Sequence, residues 1–157
     1  MLKYLNTDIV FQEIPNETTL AINLTRCPCH CPGCHSPWLW QDIGKELNIS
    51  SLCGLIGNYE SSITCVCFMG GDAAPDEVHM LAKSLKQHYP KYKVAWYSGR
   101  QYIPPSIDKS AFDYIKLGPY NAFLGPLTSS KTNQVMLKKQ KDGSFIDITK
   151  VFQKNKG

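Results

Sequence analysis

Between Cys27 and His35 the chain places four thiols and two imidazoles in nine residues, Cys27-Pro28-Cys29-His30-Cys31-Pro32-Gly33-Cys34-His35. Packing chemistry has no use for such a cluster in a stretch broken by prolines and a glycine, so metal ligation is the first reading. Two metal centres compete for it. Structural zinc takes four ligands, ordinarily as two separated pairs. Cys31 and Cys34 make one such pair, but no second C-x-x-C or H-x-x-x-H follows, so zinc would have to be closed by Cys27, Cys29 or a histidine within one strained loop. The spacing Cys27-x-x-x-Cys31-x-x-Cys34, with Cys29 as a neighbour inside the interval, suits a 4Fe-4S cluster held by three thiolates. Its fourth iron then has no protein ligand and is a reaction site.

Composition sets the context for these thiols. Seven cysteines, an odd number, are poor material for a disulfide framework and fit a reducing compartment. The first residues, Met1-Leu2-Lys3-Tyr4-Leu5-Asn6-Thr7-Asp8, lack the basic start, apolar stretch and cleavage site of a secretory signal, so the expected location is cytoplasmic. A chain of 157 residues supports one compact domain, taken here as 1–157. With 43% hydrophobic and 19% charged residues and no apolar run of membrane-span length, no membrane partner is expected. The net charge of +4, with lysines gathered toward the C-terminus, reads as a solvated surface. No binding motif or aromatic-interleaved basic patch accompanies it, so no nucleic-acid partner is expected.

The elements that must position the cysteines follow from pattern. Leu2 to Glu13 and Thr18 to Leu24 flank the turn residues Ile14-Pro15-Asn16-Glu17 and read as an N-terminal hairpin whose second strand delivers the chain into a loop at about 25–37. Leu52, Leu55, Ile56 and Tyr59 recur at helical spacing behind an N-cap at Ser50 or Ser51. Ile63 to Met69 is a continuous apolar run that suits a strand buried on both faces. It puts Cys65 and Cys67 on one face, where they and Cys53 read as small buried hydrophobes. Pro75 to His88 carries Val78, Leu81, Ala82 and Leu85 on one helical face, with Asp76 and Glu77 in the first turn. Lys93 to Tyr97 and Ala111 to Leu117 read as further strands, the segment from Tyr120 to Thr132 as a docked functional loop, and about 134–149 as a C-terminal hairpin around Asp142-Gly143. This alternation gives an α/β class with mostly parallel strands.

At this point a resemblance becomes specific. The cysteine spacing is similar to the signature of the radical S-adenosylmethionine (SAM) superfamily. Cys31-Pro32-Gly33-Cys34-His35-Ser36 resembles the corresponding segment in the family of activating proteins of anaerobic ribonucleoside-triphosphate reductase. Met69-Gly70-Gly71-Asp72 resembles that family's variant of the superfamily Gly-Gly-Glu motif, and Val94-Ala95-Trp96-Tyr97-Ser98-Gly99 its Trp-aromatic-Thr/Ser-Gly strand end. Asp113-Tyr114-Ile115-Lys116-Leu117-Gly118-Pro119-Tyr120 and Ser130-Lys131-Thr132-Asn133-Gln134 resemble its late strand and Ser/Thr-Asn-Gln element. The matching segments run in family order from about Thr18 to Gln134.

The resemblance implies a shortened, open partial (β/α) barrel and two cofactors, a 4Fe-4S cluster on Cys27, Cys31 and Cys34 and a SAM molecule on its open iron. It implies SAM contacts from Gly33, Cys34 and His35 on the adenine side and from Gly70, Gly71 and Asp72 on the methionine side. Ser98 and Arg100 are expected at the methionine carboxylate or ribose, and Asn133 at the substrate opening. The implied activity is that of a glycyl-radical-enzyme activase, an oxidoreductase whose protein substrate is the anaerobic ribonucleotide reductase and whose electron donor is a flavodoxin-type protein. Another radical SAM activity and a zinc-stabilised binding module are the competing expectations.

Overall fold

The chain, in a computed structural model, is described over residues 2–25, 27–28 and 37–153. Its strands and helices are β1 (Lys3–Val10), β2 (Thr19–Leu24), β3 (Lys45–Glu46), α1 (Ile49–Gly57), β4 (Cys65–Met69), α2 (Pro75–His88), β5 (Lys93–Tyr97), β6 (Tyr114–Leu117), β7 (Val135–Lys139) and β8 (Phe145–Asp147). Single 3-10 turns occupy Pro37–Trp40, Lys109–Ala111 and Thr149–Gln153. Among the described residues no helix is long and apolar enough to cross a membrane.

The strands form one sheet in the order β3-β1-β2-β4-β5-β6-β7-β8. The α/β class holds, but the expectation of mostly parallel strands does not. Pairings β2–β4, β4–β5 and β5–β6 are parallel. Those of β1 with β2 and β3, β6 with β7, and β7 with β8 are antiparallel. The reason is local: both hairpins dock on the flanks of the sheet, so each adds antiparallel neighbours to a parallel centre of four strands.

Strand parity divides the interior in two. On one face Leu20, Ile22 and Leu24 of β2, Val66 and Phe68 of β4, Val94 and Trp96 of β5 and Ile115 of β6 pack against Leu52 and Ile56 of α1 and Val78, Leu81, Ala82 and Leu85 of α2. On the other, Cys65, Cys67, Ala95, Tyr114 and Met136 meet Ile14 and Leu127 from connecting loops. Helices therefore cover one face and loops the other.

The helices begin as their first residues dictate. For α1 the cap is Asn48 rather than Ser50 or Ser51: its side chain accepts from the Ser51 amide at 2.9 Å while the Ser51 hydroxyl accepts from the Asn48 amide at 2.9 Å, a closed capping box. For α2, Pro75 opens the first turn and Asp76 and Glu77 meet the positive end of the helix dipole. Asp113, just before β6, ties the lower ends of three elements together. Its carboxylate accepts from the Val94 amide at 2.8 Å, pairs with Lys86 of α2, and lies 3.7 Å from Lys139 of β7.

Candidate functional site

The parallel centre brings the carboxyl ends of β2, β4, β5 and β6 side by side, the edge where open α/β sheets place their ligands. The cysteine stretch leaves from the first of these ends. The Thr25 amide donates to the Lys3 carbonyl at 3.0 Å and its hydroxyl to the Ile43 carbonyl at 2.6 Å. The Cys27 amide donates to the Leu39 carbonyl at 2.9 Å, which closes the neck of the loop. Cys27 is half-buried. Gly33, Cys31, Cys34 and His35, with Cys29 and His30, lie outside the described residues. Among the described residues no three His, Cys, Asp or Glu side chains converge on a metal position, so Cys27 is the proposed ligand that can be placed.

Beside this neck, β4 ends in Gly70-Gly71-Asp72. Both glycines have positive φ, +105° and +90°, a backbone that only glycine adopts without strain. Their surroundings differ. A Cβ on Gly71 would lie 2.5 Å from Val78 Cγ2 and 2.9 Å from Leu24 Cδ1, whereas one on Gly70 would meet only Leu24, at 3.6 Å and beyond. Gly71 thus serves the packing of α2 beneath the end of β2, and close approach of a ligand falls to Gly70. The Gly70 carbonyl accepts from Trp96 Nε1 at 2.7 Å, and its amide donates to Tyr97 at 2.9 Å, which pins the turn to β5.

Asp72 is buried, 5% exposed. Its carboxylate accepts from the Ser98 hydroxyl at 2.6 Å and the Gly99 amide at 2.9 Å. Asp72 and Ser98, read separately from the sequence, are therefore one hydrogen-bonded unit joining the ends of β4 and β5. Arg100 is exposed, and its contribution to this rim runs through its backbone, whose amide donates to Ser98 Oγ at 3.1 Å and whose carbonyl accepts from Gly118. Asn133 sits beyond the end of β6, where its Nδ2 donates to the Pro119 carbonyl at 3.2 Å. Its Oδ1 is buried and finds no hydrogen-bond donor among the described residues, an acceptor that a bound N–H group would satisfy.

Sequence reasoning missed Lys116. Its side chain is on the loop-covered face, 8% exposed, and its ammonium donates to the Ser98 and Gly118 carbonyls, both at 3.0 Å. It also stands 5.7 Å from the centre of the Tyr97 ring. The signal was present: a lysine inside the otherwise apolar run Tyr114-Ile115-Lys116-Leu117 has to find acceptors when that strand is buried. Asp72 and Lys116 place opposite charges on either side of the Ser98 turn.

The buried thiols behave as expected from strand parity. Cys65 and Cys67 are fully buried, and burial pushes the Cys65 thiol up to about 12 and the Cys67 thiol well above its ordinary range. Burial thus disfavours the thiolate, and both side chains pack as small hydrophobes in the loop-covered core. Cys53 departs from the expectation, being only half-buried at the surface of α1. Comparison of the chain with family models, curated proteins and solved structures found no match.

Proposed function

We propose that the chain is a radical SAM enzyme that activates the anaerobic ribonucleoside-triphosphate reductase, built on a shortened partial barrel and working in the cytoplasm with a flavodoxin-type electron donor. The observation that supports this reading most is the adjacency of two motifs far apart in sequence. Leu24, at the end of the strand that leads toward the cysteine stretch, stands beside the Gly70-Gly71 turn, which continues through Asp72 into Ser98 at the same edge of the parallel centre. In this reading Cys27, Cys31 and Cys34 hold a 4Fe-4S cluster and SAM lies across the strand ends.

The donor set at the rim suits SAM. The open Asn133 Oδ1 offers an acceptor to an N–H group and Gly70 offers unobstructed backbone, beside the rim that Asp72 and Lys116 hold together. Gly33, Cys34 and His35 complete the adenine side. A cluster held by Cys27, Cys31 and Cys34 would supply the single electron for reductive cleavage of SAM, the chemistry that hydrogen abstraction from a backbone glycine of the reductase would require. The chain's own part is to orient SAM and exclude water, through the locked Asp72–Ser98 pair and the lysine-braced turn.

Anaerobic reconstitution with iron and sulfide, followed by a visible spectrum and an assay for 5'-deoxyadenosine under strong reductant, tests the reading. Cluster absorption lost in Cys27→Ala, Cys31→Ala and Cys34→Ala but kept in Cys29→Ala is the expected pattern. Tightly held zinc without iron overturns the enzyme reading in favour of a zinc-stabilised module. SAM cleavage without a glycyl-radical EPR signal on the reductase leaves a radical SAM enzyme with another substrate.

A further inference from the structure

The helix-covered face of the sheet is wider than its helices. A helix about 10 Å across covers about two strands at a spacing of about 4.8 Å, so α1 and α2 account for the parallel centre and not for β7 and β8. Leu137 of β7 and Phe145 of β8, which face this side, are accordingly only half-buried. Over that flank the chain lays the connector between β5 and β6 instead of a helix, and between connector and sheet lies a pocket of about 420 Å³. Its floor is Leu117 and Leu137, which share a face in the β6–β7 register. Ile103 and Ile107 form its wall, and the ring of Tyr102, 76% exposed, forms its lip.

The connector is fixed from outside the pocket. At its start the Arg100 carbonyl accepts from the Gly118 amide at 2.6 Å. Further on, the Asp108 amide donates to His79 Nε2 of α2 at 3.3 Å, and the Lys139 ammonium of β7 donates to the Ser110 carbonyl at 2.8 Å. Because these bonds involve none of the apolar side chains that line the pocket, it is preorganised for an occupant.

The lining identifies the occupant's chemistry. A volume in the range of small-molecule sites and an apolar floor and wall call for an apolar body. Lys109 also lines the pocket, its Nζ standing 5.7 Å from the centre of the Phe145 ring. Among the described residues no carboxylate pairs with it. The adjacent Asp108 is turned into its own 3-10 turn, where its carboxylate accepts from the Ser110 amide at 3.0 Å and the Ser110 hydroxyl at 2.7 Å. An apolar trough with an ammonium beside it is complementary to a molecule that joins a hydrocarbon chain to a single carboxylate.

We propose that this pocket is a binding site for a small amphipathic carboxylate, of which a medium-chain fatty acid is the simplest member, with its chain along Leu117 and Leu137 and its head at Lys109. The inference goes beyond the radical chemistry proposed above, and its test needs neither cluster nor SAM. Octanoate, hexanoate and octanamide are titrated calorimetrically into the full chain near neutral pH. Octanoate should bind saturably, and hexanoate, shorter by two methylenes, about fifteenfold more weakly, at about fourfold per methylene. Lys109→Gln, at an exposed position, should weaken octanoate about threefold or more. The same variant should leave octanamide unchanged, and Lys109→Arg should restore the preference for carboxylate over amide. Tyr102→Ala should weaken octanoate and octanamide alike, with an unchanged circular dichroism spectrum. No saturable binding of octanoate, equal affinity for octanoate and octanamide or for octanoate and hexanoate, or parental affinity for octanoate in Lys109→Gln overturns the assignment.

Discussion

The two glycines after β4 make a quantitative test, because the same substitution meets the same backbone and different neighbours. At φ of +105° and +90°, alanine at either position carries backbone strain of about 1–3 kcal/mol. Both substitutions also stiffen the unfolded chain, by about 0.4–1 kcal/mol in the opposite sense, and that contribution cancels in a comparison of the two. What remains is packing. A Cβ on Gly71 would stand 2.5 Å from Val78 Cγ2 and 2.9 Å from Leu24 Cδ1, inside any real contact distance, whereas on Gly70 the nearest atom is at an ordinary 3.6 Å. Forcing a methyl into such a packed place costs about 1–3 kcal/mol, so Gly71→Ala should be less stable than Gly70→Ala by that amount. Urea denaturation of the two variants at matched slope measures the difference directly. Combining Gly71→Ala with Val78→Ala should recover part of the loss, with a coupling of about 0.5–3 kcal/mol across the shared contact. Gly70→Ala should remain folded and lose affinity for SAM. Equal midpoints for the two single variants, or strict additivity with Val78→Ala, would refute the division of labour between packing and ligand approach.

Other outcomes follow from the same contacts. Asp72→Ala strips the Ser98 hydroxyl and the Gly99 amide of a charged acceptor, so it should cost about 1.5–3 kcal/mol by denaturant titration and raise the KM for SAM, with Ser98→Ala showing a smaller effect of the same kind. Asp113→Ala leaves Lys86 and the Val94 amide without their acceptor in a nearly buried place, and a loss of about 2–4 kcal/mol is expected in the same titration. Because Cys65 stays protonated up to about 12 in the fold but ionises near 9 when unfolded, the unfolded chain holds fewer protons between those values and stability must fall as pH rises through them. The fall, at most about 1.4 kcal/mol per pH unit from this thiol, should be smaller in Cys65→Ala; below pH 9 the two proteins should show no pH-dependent difference. A thiol reagent at pH 8 should modify Cys53 and leave Cys65 and Cys67 untouched until denaturant is added.

Elements that bury a continuous apolar run or a periodic helical face were legible in the chain. The bounds of α2 and β5 coincide with the expected Pro75 to His88 and Lys93 to Tyr97, because Pro90, Ser98 and Gly99 mark the stops. Features set by partners elsewhere were not. Strand β3 is two exposed residues, Lys45 and Glu46, whose only strand signal is the neighbouring edge of β1. The direction of the flanking strands depends on where each hairpin docks, and nothing within Phe145 to Asp147 records that. At the site, Gly70, Gly71, Asp72 and Ser98 stood out by type and place. Their joining through one hydrogen bond, and the bracing of Ser98 by Lys116, required knowing that β4, β5 and β6 lie side by side.

The placement of parallel strands at the centre and hairpins at the flanks also sets an order of assembly. Each hairpin can close through a short connector, whereas the parallel pairings join segments separated by whole helices and must first meet the entropy of closing long loops. Leu24, Gly70, Ser98 and Lys116 become neighbours only through those slow pairings. A nascent chain therefore carries its cysteines well before it has a rim to set them against. In the proposed cluster enzyme, iron supplied before these pairings form would meet thiols with no rim beside them, so the yield of cluster on reconstitution should be higher when iron is added after folding than before it.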